Sequence, residues 1–167
     1  MFRFSTGALS AAALCFGLGA CAQKGKTTAA DTAVAPGEVA VAAAPGGPVT
    51  LTVAARPGEA VYLTDAAGRA VYYIAGPNGA AVECTGECAT EFDPVTGKAV
   101  VATGDSTVKL ALIGQVPGPN GATQVTYNGK PLYYHRGDQA GDTKGQGMKA
   151  GNGEASLVTP NGDKVRK

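Results

Sequence analysis

Two ten-residue segments of this chain align on each other without a gap. The first runs from Gly68 to Pro77 and the second from Gly129 to Asp138. Each begins with a turn glycine and a cation, continues as an apolar stretch with paired tyrosines, and ends near a further glycine. A unit that occurs twice and cannot bury its apolar face alone predicts two modules that pack against each other.

Alternation along a strand places neighbouring tyrosines on opposite faces of the sheet. In the first copy Tyr73 shares a face with Val71, opposite Tyr72, and the second copy repeats the pattern with Tyr134 opposite Tyr133. Packing in the core and between strands is one interpretation of these rings. The alternative is a platform on which a ligand stacks.

Short apolar runs and turn residues fill the rest of this region. Asn128-Gly129 between two apolar runs predicts a type I′ hairpin, because both residues tolerate a positive φ. Many short strands at such spacing predict a small antiparallel all-β domain built from two hairpin-based repeats. The predicted strands are 49–54, 60–64, 70–75, 80–84, 107–113, 123–127, 131–136 and 155–159, with one helical turn within 85–92.

The N-terminal segment has the layout of an export signal. Arg3 precedes an apolar stretch that ends in Leu18-Gly19-Ala20-Cys21, and this stretch is shorter than the roughly 20 apolar residues that cross a bilayer. Small residues before a cysteine are typical of a lipoprotein signal peptide, in which Cys21 would carry a diacylglyceryl group. A secretory signal cleaved after Ala20 is the alternative.

Composition divides the chain into three parts. Residues 1–20 form the predicted signal peptide, and 21–48 are the lipidated cysteine and a tether rich in Ala, Pro and Gly. The tether has no aromatic residue, so little apolar surface can offset the entropy of ordering it. Coil statistics give it a span of roughly 25 to 30 Å. Residues 49–167 are the predicted all-β repeat domain.

Charge narrows the classes of partner. Arg3 is the single charged residue before Cys21, so the exported chain would carry equal numbers of cationic and anionic side chains. A balanced charge argues against nucleic acid as a partner, and anchoring would depend on the acyl chains of Cys21. We expect a lipid-anchored protein of the cell envelope. Ala22 in place of Asp favours the outer membrane if the organism has two.

The cysteines suggest the main chemical candidate. Of four cysteines one lies in the signal segment and one is Cys21, which leaves Cys84 and Cys88. An even pair in an oxidising compartment predicts a disulfide. The alternative is a copper site in which the reduced thiolates act with His135 or Met148, a donor set suited to Cu(I).

The region from Val61 to Val165 resembles the bacterial secreted-repeat lipoproteins that carry a Yx(FWY)xxD motif. The second copy keeps Tyr133 and Asp138 of this motif, with His135 at the aromatic position. The resemblance is carried by residues 62–69, 84–89, 124–134 and 141–147. It implies a small envelope lipoprotein, and the molecular activity of that family is largely undefined.

The first copy departs from this motif. It keeps Tyr72 but has Ile74 at the aromatic position and Pro77 where Asp is expected. The family also usually has Trp-Pro-Pro after its cysteine block, where this chain has Phe92-Asp93-Pro94.

No catalytic constellation stands out, and we predict that the protein is not an enzyme and needs no cofactor. The chain has one histidine and no Gly-x-Ser-x-Gly elbow for serine hydrolysis. We expect a binding or scaffolding domain for an unknown envelope protein or ligand, with an exposed aromatic surface formed by Tyr72, Tyr133 and His135. The alternative is a periplasmic copper-binding or redox accessory protein that uses Cys84 and Cys88.

Overall fold

The computed structural model describes residues 47–56 and 60–166. The predicted signal peptide, Cys21 and nearly all of the predicted tether lie outside these residues. Within them, no helix is long and apolar enough to cross a membrane. The first strand begins at Val49.

The described region is all-β, as predicted, with one short helix and two 3₁₀ turns. Strands are short, because turn residues interrupt the chain every few positions. The strands are β1 (Val49–Ala54), β2 (Tyr62–Asp65), β3 (Tyr72–Ala75), β4 (Ala81–Val82), β5 (Phe92–Pro94), β6 (Ala99–Val101), β7 (Ile113–Pro117), β8 (Thr123–Tyr127), β9 (Lys130–Pro131), β10 (Tyr133–His135), β11 (Lys149–Ala150) and β12 (Gly153–Leu157); the helix is α1 (Cys88–Glu91), and the 3₁₀ turns are Leu110–Leu112 and Pro119–Gly121.

Three sheets arise from these strands. Their orders are β2-β1-β6, β11-β12-β3-β10-β5 with β4 also paired to β3, and β7-β8-β9. Neighbouring strands are antiparallel, as predicted, with the exception of β1 and β6, which are parallel. The predicted type I′ turn is present between β8 and β9, where Asn128 has φ 49° and Gly129 has φ 72°.

The two repeats meet at their tyrosines. Tyr72 and Tyr133 hold equivalent positions in the two sequence copies, and they pair with each other where β3 meets β10 in antiparallel orientation. A position that pairs with its own equivalent lies on an approximate two-fold axis. The structure therefore arranges the repeats as the sequence predicts, packed against each other.

Each repeat is completed by the strand that follows the other repeat. The Leu63 N–H donates to the Val158 carbonyl at 2.8 Å, and in the second repeat the Val125 N–H donates to the Val95 carbonyl at 2.8 Å. Val158 follows β12 at the end of the domain, whereas Val95 follows β5 between the two repeats. The repeats are interlocked, because β12, which follows the second repeat, pairs with β3 of the first, and β5, which follows the first repeat, pairs with β10 of the second.

The sheet that contains β3 and β10, called the central sheet below, is covered on both faces. Tyr73 and Leu132 belong to one apolar cluster, and Tyr72 and Tyr133 belong to a second cluster with Phe92. These are the opposite faces that alternation predicts. The interpretation as core residues is confirmed for Tyr72, Tyr73 and Tyr133, which are at most 4% exposed, whereas Tyr134 is half-buried and packs against the first cluster.

The predicted strand over 107–113 is wrong. Asp105 accepts hydrogen bonds from the N–H groups of Thr107 and Val108 at 2.8 and 3.3 Å, and such side-chain acceptors compete with strand pairing. The chain then forms a 3₁₀ turn and becomes a strand only at Ile113. The predicted helical turn is confirmed but shorter, because Phe92 is already extended, with φ −123°.

Candidate functional site

Asp138 is the centre of a buried hydrogen-bond network. The Tyr72 hydroxyl donates to its Oδ2 at 2.5 Å, and His135 Nδ1 lies 2.9 Å from its Oδ1. The backbone N–H of Lys144 also donates to Oδ1, at 3.0 Å. The side chain of Asp138 is 2% exposed and that of His135 7%. Three partners therefore compensate the carboxylate for the loss of water.

Local geometry brings these groups together. His135 is the last residue of β10, and a turn in which the Asp138 N–H donates to the His135 carbonyl folds the carboxylate back onto the ring. Gly145 is buried against the network, and a Cβ at this position would lie 3.0 Å from both His135 Cβ and Tyr72 Cζ. Phe92 contacts both rings, with centroids 6.0 Å from Tyr72 and 5.2 Å from His135.

The network fixes the protonation state of Tyr72. Burial raises the pKa of its hydroxyl well above the ordinary tyrosine range, and the hydrogen bond to Asp138 raises it further. The hydroxyl therefore stays protonated and acts as a donor. A tyrosine of the first repeat thus binds the motif carboxylate of the second.

The equivalent tyrosine of the second repeat has a different partner. The Tyr133 hydroxyl accepts a hydrogen bond from the backbone N–H of Cys84 at 3.1 Å. The first copy has Pro77 where the second has Asp138, so it has no carboxylate to offer. The cysteine-containing segment takes its place beside Tyr133, which explains how the first copy tolerates the departure from the motif.

Cys84 and Cys88 are joined by a disulfide, the pairing predicted from the sequence. Their Cα atoms are 5.2 Å apart, within the range that a disulfide spans. Cys88 is 3% exposed and begins α1, whereas Cys84 is half-buried. The residues between them, 85–87, are exposed.

The predicted exposed aromatic surface is wrong. Tyr72, Tyr133 and His135 are 0%, 4% and 8% exposed. The reason is that both faces of the sheet that carries them are covered, one by each apolar cluster. The motif residues that the structure brings together hold the two repeats in contact.

The donor set of the copper alternative is only partly gathered. Met148 packs against the apolar cluster that contains Cys88 and borders Cys84, but the disulfide occupies both sulfurs and Nδ1 of His135 is bound to Asp138. Among the residues that the structure describes, no three His, Cys, Asp or Glu side chains are placed to hold a metal ion. A copper site would first require reduction of the disulfide.

A cleft of about 670 Å³ lies between the cysteine-containing segment and the second repeat. One wall is the segment after the first repeat, with residues from Glu83 to Pro94. The other wall is formed by the turn at 117–120 and Gln124, which precede the second repeat, and by Tyr133 and Arg136 of that repeat. Arg136 Nη2 and Asp93 Oδ1 form an ion pair at 2.6 Å, and both side chains are about half exposed. Cys84 is one of the residues that line this cleft.

Sequence reasoning did not find this cleft. Its walls, residues 83–94 and 117–136, are separated in the chain, and only the pairing of β5 with β10 makes them neighbours. The run from Pro117 to Gly121 contains two prolines and two glycines, which indicates a turn and nothing about a binding site. A smaller cleft of about 370 Å³ is lined by residues that include Gly76, Lys149 and Glu154.

The second repeat matches a known family of protein domains. Residues 115–153 match the family model described as a secreted repeat of unknown function. The predicted family resemblance is confirmed by this match, which spans Tyr133, His135 and Asp138. The description of the family as secreted is consistent with the predicted location outside the cytoplasm. No curated protein and no solved structure matches the chain.

Proposed function

We propose that this protein is a lipid-anchored lipoprotein of the cell envelope whose repeat domain binds or scaffolds a ligand without catalysing a reaction. The secreted description of the matched family supports export, and the sequence Leu18-Gly19-Ala20-Cys21 supports lipidation of Cys21. Ala22 favours the outer membrane in an organism with two membranes. The observation that carries the binding function is the cleft between the cysteine-containing segment and the second repeat.

The size and construction of the cleft support binding. Its volume lies within the roughly 300 to 1,000 Å³ of small-molecule sites. Phe92 and Tyr133 form part of its wall and are fixed by core packing, so a ligand would meet a largely preformed surface. Glu83 and the Asp93–Arg136 pair supply polar groups at its surface, and these can orient a ligand.

The placement of the reactive groups favours a non-catalytic function. The aromatic, imidazole and carboxylate groups of Tyr72, His135 and Asp138 are bound to one another and buried. His135 and Asp138 are not among the residues that line the cleft. The chain's one histidine, His135, therefore supports the packing of the repeats, and a ligand in the cleft would not contact it.

Fragment binding followed by amide NMR tests the cleft. A library of small neutral and cationic fragments is added to the purified protein, and we expect shifts to cluster at the amides of Glu83, Ala89 and Gly118. The amides of Gly76 and Lys149 in the smaller cleft are the internal control. Shifts that cluster there, or that scatter over the whole surface, would contradict the proposal.

Cell fractionation tests the anchor. The wild-type chain is expected in the membrane fraction, with the mass of a diacylated or triacylated Cys21 on its N-terminal peptide. Cys21→Ser should release the protein to the soluble fraction, and Cys15→Ser, a change within the predicted signal peptide, should leave it membrane-bound. A soluble wild-type protein that begins at Cys21 with a free thiol would refute lipidation.

Copper binding is the second candidate, favoured by the packing of Met148 against the cluster that holds the cysteines. It predicts that the reduced protein binds Cu(I) with Cys84 and Cys88 as ligands. Titration of the reduced, processed protein against a chromogenic Cu(I) chelator tests this. Met148→Leu should weaken the binding of Cu(I) if the thioether is a ligand. Unchanged affinity in Cys84→Ser would exclude the candidate.

A further inference from the structure

The two cysteines of the disulfide differ in exposure. Cys84 is half-buried and lines the cleft, whereas Cys88 is 3% exposed and does not line it. Thiol–disulfide exchange requires a thiolate to reach one sulfur directly. A thiol that occupies the cleft can reach Cys84, and Cys88 is then the leaving group.

The surrounding structure can hold the cysteine segment without the disulfide. Before Cys84, β4 pairs with β3, and the Cys84 N–H is bound to the Tyr133 hydroxyl. After it, the N–H groups of Ala89 and Thr90 donate to the carbonyls of Gly86 and Glu87. In the chain-entropy model a disulfide stabilises less as the loop it closes becomes shorter, and this one joins residues only 4 positions apart. Opening of the bond is therefore compatible with the folded domain.

We propose that the Cys84–Cys88 disulfide exchanges with a thiol-bearing ligand bound in the cleft. This deepens the proposed function, on which it rests, by naming the chemical class of the ligand. In the first step the ligand thiolate forms a bond to Cys84 Sγ, the Cys84–Cys88 bond breaks, and the Cys88 thiolate takes up the proton that the ligand thiol released. The result is a mixed disulfide on Cys84 and a thiol on Cys88.

The second step uses a second thiol of the ligand. Its thiolate attacks the ligand sulfur of the mixed disulfide. Cys84 leaves as a thiolate and takes up the proton that the second ligand thiol released. The ligand is thereby oxidised to a disulfide by two electrons, and the protein is reduced by the same two. With a ligand that has one thiol the reaction stops at the mixed disulfide, from which Cys88 can displace it and restore the original bond.

The charge of the cleft selects among thiols. Asp93 and Arg136 neutralise each other in their ion pair, which leaves Glu83 as the remaining charged side chain among the described residues that line the cleft. The cleft is thus weakly anionic and favours a cationic thiol over an anionic one. An exposed charge pair supports a preference of about two- to five-fold.

Reduction kinetics of the folded, oxidised protein test the exchange. Cysteamine serves as the cationic thiol and 2-mercaptoethanesulfonate as the anionic one, and each rate is divided by the rate of the same thiol with bis(2-hydroxyethyl) disulfide, an uncharged disulfide without a cleft. Free thiols are alkylated at each time point and located by mass spectrometry. We expect the ligand on Cys84, the alkyl group on Cys88, and a two- to five-fold preference for cysteamine.

Two variants make the test specific. Glu83→Gln should abolish the preference for cysteamine. Glu87→Gln is the matched control, because Glu87 lies between the cysteines but does not line the cleft, and it should keep the preference. The ligand on Cys88, or reduction no faster than global unfolding, would overturn the proposal. Fragment binding to the oxidised protein would persist in that case, so failure of the exchange is distinct from failure of the binding function.

Discussion

Removal of one hydroxyl at each of two equivalent positions should have unequal effects. Tyr72→Phe removes a donor to the buried carboxylate of Asp138, whereas Tyr133→Phe removes an acceptor from a backbone N–H. Both rings are buried, and each substitution deletes the same atom from a tyrosine in the same cluster. A difference in stability therefore reports the hydrogen-bond partner and not the packing.

The magnitudes follow from those partners. A hydrogen bond to a charged group contributes about 1.5 to 3 kcal/mol, and a neutral one about 0.5 to 1.5 kcal/mol. After Tyr72→Phe the Asp138 carboxylate keeps two of its three partners, in a site where its side chain is 2% exposed and the lost partner is hard to replace by water. After Tyr133→Phe the freed N–H belongs to Cys84, which lines the cleft, so water can reach it. Tyr72→Phe should lower the free energy of unfolding by about 1 kcal/mol more than Tyr133→Phe.

Urea denaturation of the purified protein measures both changes, with the m-value as a check that the transition stays two-state. Asp138→Asn and the double variant with Tyr72→Phe complete a cycle whose coupling free energy should be about 1 to 2 kcal/mol. Equal losses for Tyr72→Phe and Tyr133→Phe, or a coupling below about 0.5 kcal/mol, would show that the network is not what joins the repeats.

Three further perturbations test other parts of the structure. Burial raises the pKa of Tyr72 and Tyr134 above that of an unfolded tyrosine, which ionises near pH 10. The stability from this difference is complete below pH 10, and the free energy of unfolding should fall above it by about 1.4 kcal/mol per pH unit for each ring. Unfolding followed by circular dichroism at each pH measures this fall, and an unchanged free energy of unfolding up to pH 12 would contradict it. Replacement of Cys84 and Cys88 together by Ser should lower the free energy of unfolding by about 2 kcal/mol and leave the fold intact; a chain that no longer folds would mean that the disulfide contributes much more than a local constraint. Gly145→Ala should destabilise the domain by about 1 to 3 kcal/mol, because its methyl group would collide with buried rings; thermal unfolding measures this, and a neutral effect would mean that the network yields more easily than its packing indicates.

Local signals in the sequence predicted much of the fold. The alternation around Tyr72 and Tyr133 identified the two faces, and Asn128-Gly129 identified a turn, because both patterns depend on neighbouring residues alone. The strands β5, β6 and β11 were not predicted, nor was β7 beyond its first residue. β5 contains a proline and a charged residue, and it is a strand because β10 offers it a partner.

The candidate site could be predicted only in part. The cysteine pair and the motif residues were identified by their types and spacing, but the exposed aromatic surface expected of a binding module is a buried network in the structure. The exposure of His135 depends on what covers the sheet, and Phe92 and Gly145 cover it from distant parts of the chain. The cleft was missed for the same reason.

Periodicity, turn residues and short separations along the chain are enough to predict the all-β class, the two repeats, the opposed faces of their tyrosines and a disulfide between Cys84 and Cys88. Three features follow only from the folded chain: each repeat is completed by the strand after the other, Tyr72 binds Asp138 across the repeats, and a cleft forms beside Cys84. Such contacts join residues far apart in the chain, and they exist only once both faces of the central sheet are covered.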